Sequence, residues 1–126
     1  MRIVLAAVAS LLLSVVSAQA DKAVLSGKPL IVYHVAAVNP DCTSTGEMVL
    51  RVTEAPEHGR ISIRHVGVFP DFPASNLRSA CNRRRVPGIE AIYVSQPGYA
   101  GWDSVGLLAI GPLGRAWQMT FSIHVM

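Results

Sequence analysis

Two cysteines are all that the 126-residue chain contains, and they do not form a C-x-x-C pair. No G-x-S-x-G elbow, no H-E-x-x-H and no glycine-rich phosphate loop between a strand and a helix occurs either. These absences argue against thioredoxin-like redox work, an α/β-hydrolase nucleophile, a zincin site and nucleotide binding in turn. Beyond residue 20 no segment carries a 3.6-residue apolar stripe, so a helical body is not expected. There is no internal repeat and no low-complexity tail. The length supports one domain, which excludes large multi-layer enzymes, doubly wound cofactor-binding folds and multipass membrane proteins.

What is present begins with an export pattern. Arg2 supplies a short positive region, residues 3–16 are apolar, and Ala18-Gln19-Ala20 offers the small-x-small cleavage pattern before Asp21-Lys22. An apolar run of about fourteen residues is short of the roughly 20 that span a bilayer. The expectation is a signal peptide over 1–20 and a mature domain over 21–126, periplasmic or secreted, with no membrane span. Leaving out Arg2 takes the basic residues from 11 to 10 against 8 acids, a mildly basic balance that does not point to nucleic acid. Export also places Cys42 and Cys81 where disulfides persist, and two cysteines allow a single intramolecular pairing. A structural bridge is expected, constraining the unfolded chain by about 4 kcal/mol on the chain-entropy argument.

The mature part alternates between short apolar segments and turn residues. Segments 30–38 (LIVYHVAAV), 47–53 (EMVLRVT), 60–64, 89–94 (IEAIYV), 104–110 (SVGLLAI) and 116–125 (AWQMTFSIHV) read as six strands, and 23–25 as a seventh. In the last, Trp117, Met119, Phe121, Ile123 and Val125 fall on one face and Gln118, Thr120, Ser122 and His124 on the other. Residues 111–114 (GPLG) predict the hairpin that joins the last two strands. The fold class expected is an all-β, immunoglobulin-like β-sandwich of about seven strands with one disulfide.

Residues 67–88 (GVFPDFPASNLRSACNRRRVPG) break the spacing. A loop this long in a compact domain is usually functional or disordered, and a bridge at Cys81 would pin it. A helical turn over 75–80, capped by Ser75 or Asn76, is expected inside it. Arg78, Arg83, Arg84 and Arg85 fall within this loop, with Phe69 and Phe72 upstream and no acid between Asp71 and Glu90. Arginine forks match phosphate, sulfate and carboxylate, and aromatics give stacking surface. These six residues are the candidate binding group for an anionic envelope polymer or an acidic protein surface. The competing reading is a solvated charge run, or ion pairs to Glu47, Glu54 or Glu90.

Pro56-Glu57-His58-Gly59, then Tyr93, then Gly98-Tyr99-Ala100-Gly101-Trp102-Asp103-Ser104 resemble the turn motifs of bacterial cadherin-like and immunoglobulin-like repeat domains of cell-surface and adhesive proteins. The resemblance covers about residues 51–126, interrupted by the 67–88 loop. It implies a sandwich in which Gly59, Gly98 and Gly101 take positive φ, Tyr99 reaches a backbone group with its hydroxyl, and Asp103 accepts N–H groups of its own turn. Ser95 replaces the usual proline, Val105 and Leu107 replace common aromatics, and the Asp/Asn-rich calcium linkers are absent. The chain therefore departs from tandem, calcium-stiffened adhesion.

No residue is assigned a catalytic role, and no cofactor or metal is expected. His58 reads as a turn residue, and His34 and His65 as strand residues. His124 and Met126 form an H-x-M pair suited to Cu(I), but Trp102 stands where exported copper chaperones carry an upstream methionine. The sequence is thus read as a monomeric exported binding module and not as an enzyme. A small envelope enzyme or enzyme inhibitor is the alternative, and a packing element of a larger assembly a further one.

Overall fold

The alternation along the chain is realised as strands in a computed structural model that describes residues 21–126; the expected signal peptide, 1–20, lies outside the described residues. Seven strands form in chain order: β1 (Asp21–Val24), β2 (Leu30–Val35), β3 (Val49–Glu54), β4 (Gly59–Val68), β5 (Val86–Ser95), β6 (Gly101–Ile110) and β7 (Ala116–Val125). A 3-10 helix, Ser79–Arg83, lies between β4 and β5, and no α-helix occurs among the described residues.

The strands make two sheets, β1-β7-β6-β3 and β2-β5-β4. All pairings are antiparallel except β1 on β7, which is parallel and sets Asp21 beside Ser122 and Val24 beside Val125. The architecture is the immunoglobulin-like sandwich expected from the strand spacing. Its core lies between the layers, where alternate residues of β5, β6 and β7 point inward, while register shifts interrupt the alternation in β2 and β3. Val32 from β2, Ile89, Ala91 and Tyr93 from β5, Val105 and Leu107 from β6, and Ile123 and Val125 from β7 are almost wholly buried. Trp117, Met119 and Phe121 pack against them on the face the alternation assigns.

A second, smaller cluster sits at one end of the sandwich, formed by Ala36, Val38, Val68, Cys81 and Val86. It explains why the long loop is shorter than its sequence implies. Gly67 and Val68 complete β4 by pairing with Pro87 and Val86, so only residues 69–85 are unpaired. The valines are buried, and their backbone groups find partners only by extending the ladder. β2 ends earlier than its apolar run, at Val35. The run 36–38 leaves the sheet to feed the second cluster, and Val38 bridges Ser44 instead.

The strand ends define two ends of the molecule. At one, β2 and β4 finish, β5 starts, and β6 turns into β7 through residues 111–115, closed by a 2.7 Å hydrogen bond from Gly111 N–H to the Arg115 carbonyl. At the other lie the turns 55–58 and 96–100 and the end of β7.

Candidate functional site

Loop 69–85 is built by local bonds before its charges are considered. Cys81, fully buried in the second cluster, is bonded to Cys42 with Cα atoms 5.5 Å apart. Cys42 sits at φ 70°, the left-handed region that a non-glycine residue adopts only when its surroundings hold it there. The side-chain amide of Asn82 clamps Phe72: Nδ2 donates to the Phe72 carbonyl and Oδ1 accepts its N–H, each at 2.9 Å. Asn76 Oδ1 accepts the Arg78 N–H at 2.8 Å and its carbonyl accepts the Ser79 N–H at 3.0 Å. That turn leads into the 3-10 helix. The helical turn therefore begins at Ser79 instead of Ser75, entered through Arg78 with no side-chain cap.

The four arginines separate into different roles. Arg78 is half-buried, and its Nε donates to the Val38 carbonyl at 2.7 Å, tying the loop to the segment after β2. Phe72 packs against the second cluster. These two are part of the loop's foundation, so the six-residue group is not one surface. Arg83, Arg84 and Arg85 are exposed, and none makes an ion pair among the described residues. The acids named as competitors do not reach them: Glu90, buried on β5, is held by Arg64 of β4 through Nε and Nη2, both at 2.7 Å.

Arg85 is the best-placed of the three. Its guanidinium lies 5.2 Å from the centre of the Phe69 ring, and Nη1 donates to the Gly67 carbonyl at 3.3 Å. The side chain runs flat across β4 because residue 67 has no Cβ; one built there would stand 2.7 Å from Arg85 Cγ. Phe69 is half exposed beneath it. Gly67, on which this geometry depends, was not singled out by its sequence, since a glycine at a strand end reads equally as a breaker.

The turn residues of the motif segments meet at the opposite end. Asp103 is buried and takes four hydrogen bonds: from the N–H of Glu57 (3.0 Å), His58 (3.1 Å) and Ser104 (2.9 Å), and from the Tyr93 hydroxyl (2.7 Å). It thus joins β6 to the 55–58 turn and to β5, a wider role than accepting from its own turn. Tyr99 donates to the Trp102 carbonyl at 2.7 Å and stacks on His58 at 4.0 Å. Gly98 and Gly101 have φ of 82° and 142°. Gly59 does not take positive φ; it is glycine because a Cβ would stand 2.6 Å from both the Tyr93 ring and the Val94 carbonyl oxygen. Burial, then the bond to Asp103 and its negative charge, push the Tyr93 phenol well above its ordinary pKa. On the arginine end, the Thr43 hydroxyl and then its N–H hold the exposed Asp41 carboxyl below the usual range.

Among the described residues no group of three or more metal-binding side chains forms, and no helix is long and apolar enough to cross a membrane. No protein-family model matches the chain, and no curated protein matches it. The solution structure of Amebosin is similar over 82% of this chain and 86% of its own, at 12% identity and a TM-score of 0.43, a likeness too low to carry an argument.

Proposed function

We propose that the chain is an exported interaction module on the immunoglobulin-like and cadherin-like plan, whose loop 69–85 presents Arg83, Arg84 and Arg85 to an anionic partner. One observation carries the reading: three consecutive exposed arginines stand without an ion-pair partner among the described residues, on a loop fixed by a disulfide and by the Asn82 clamp. A solvated charge run needs no such foundation. A fixed loop loses little conformational freedom when it binds, so more of the contact energy appears as affinity. The seven-strand sandwich and the bonded 55–58 and 98–104 turns support the family likeness. The disulfide supports an oxidising compartment.

Retention of the full chain on immobilised heparin, a sulfated polyanion, tests the reading against a Arg83→Ser/Arg84→Ser/Arg85→Ser variant. Wild type should be retained and should elute as salt screens the contact, and the variant should elute at clearly lower salt. Equal elution of the two proteins would overturn it.

A further inference from the structure

The arginines share their end of the sandwich with the most exposed large apolar side chains among the described residues. Leu113, at the tip of the β6–β7 hairpin, is 88% exposed, and Leu77, at the crest of loop 69–85, is 82% exposed. Leu113 lines a groove at this end together with Arg115, Phe72, Trp117, Asn76 and Arg78, and Leu77 sits in the chain between the last two of these. Phe69, half exposed, lies on the same end under Arg85. A single exposed leucine needs no explanation. Two on neighbouring loops that also carry five arginines give this end both apolar and cationic exposed side chains.

We infer that this end docks peripherally on an anionic lipid surface, with Leu77 and Leu113 entering the headgroup region and Arg83, Arg84 and Arg85 meeting lipid phosphates. The inference rests on the anion-facing role proposed for the loop and names its partner. Charge complementarity selects that partner: loops 69–85 and 111–115 carry five arginines against one acid, Asp71, and the neighbouring 39–47 segment adds Asp41 and Glu47. A soluble polyanion would satisfy the arginines and leave both leucines in water. A bilayer interface satisfies both, because it places phosphates beside acyl chains. The far end also exposes Leu25, Trp102 and Met126, but its charges are mixed (Lys28, Glu54, Glu57 and Arg60), and His124 stacks on the Trp102 ring at 4.7 Å.

Co-sedimentation of the full chain with phosphatidylglycerol vesicles, with phosphatidylcholine vesicles, and heparin retention as a third arm, decides it. Residues 1–20 are common to every protein compared. Wild type should prefer phosphatidylglycerol. Leu77→Ser/Leu113→Ser should bind those vesicles about tenfold more weakly or worse, with unchanged thermal stability and unchanged heparin retention. The triple arginine variant should lose about 100-fold on the vesicles, at about fivefold per charge. Equal vesicle binding by wild type and the leucine variant, or equal binding to both lipids, overturns the lipid inference and leaves the anion-facing reading standing. An arginine variant retained on heparin like wild type overturns that underlying reading as well.

Discussion

Asp103 takes four hydrogen bonds on two oxygens, and three of its donors come from outside its own strand. Removing its carboxylate strands the Tyr93 hydroxyl in a buried place, at about 1–3 kcal/mol, and leaves two part-buried turn N–H groups without their acceptor, at about 1 kcal/mol each. Asp103→Ala should therefore destabilise by about 3 kcal/mol or more, a fall in Tm of about 12–24 °C measured by circular dichroism. Tyr93 links the same network to pH. The unfolded phenol loses its proton near pH 10, while the folded one retains it to higher pH. The stabilisation is thus complete below about pH 10 and is lost as pH rises beyond it, where the unfolded state binds fewer protons. Tyr93→Phe should be less stable at neutral pH by about 1 kcal/mol, yet show a shallower alkaline decline in urea titrations. Some decline should persist from Tyr33, whose phenol burial also raises. Asp103 and Tyr93 were visible in the sequence as motif residues. Their partnership was not, because it depends on β5 and β6 lying in different sheets that meet at one end.

At the scale of elements, loop 69–85 is held by Cys42–Cys81, by the Arg78 bond to Val38 and by the Asn82 clamp on Phe72. The disulfide spans a sequence separation of 39 and should contribute about 4 kcal/mol. Cys42→Ser/Cys81→Ser should unfold at correspondingly lower urea. Native-state trypsin should then cut first at Arg83, Arg84 or Arg85, as mass spectrometry of the early fragments would show. First cuts within β4 or β5 would instead mean that the bridge holds the body and not the loop. Both cysteines and the loop's abnormal length were legible from the sequence. Its true limits were not, since Val68 and Val86 read as loop until each is seen to pair with the other and to cover Cys81. Gly59 teaches the same point. Its place in a turn motif implied positive φ, while the structure gives it a strand position crowded by the Tyr93 ring.

Across the whole molecule, two apolar clusters are joined through continuous strands: Val66 and Val68 of β4 and Val86 of β5 serve the small one, and Ile61, Ile63 and Ile89 the large one. Because β4 and β5 run through both, residues 21–126 should unfold in one cooperative step, with calorimetric and van't Hoff enthalpies in agreement. A separate low-temperature transition would mean that the end carrying the arginines melts alone. The sequence by itself determined the seven strands, the inward face of the last one, the one possible disulfide and the concentration of arginine in a single loop. Those features are local: period-two alternation, turn residues and cysteine count can all be read within a few neighbours. Only the tertiary structure decided how each arginine is held, because Arg78 found a carbonyl 40 residues away and Arg85 an aromatic ring and a bare glycine, while Arg83, Arg84 and Arg85 all stay exposed with no ion pair among the described residues. It also set the loops carrying Leu77 and Leu113 side by side, with Asn76, Arg78 and Leu113 lining one groove. The physical reason is common to both: a side chain's exposure and partners depend on which strand ends the sheet order gathers together, and no stretch of chain contains that order.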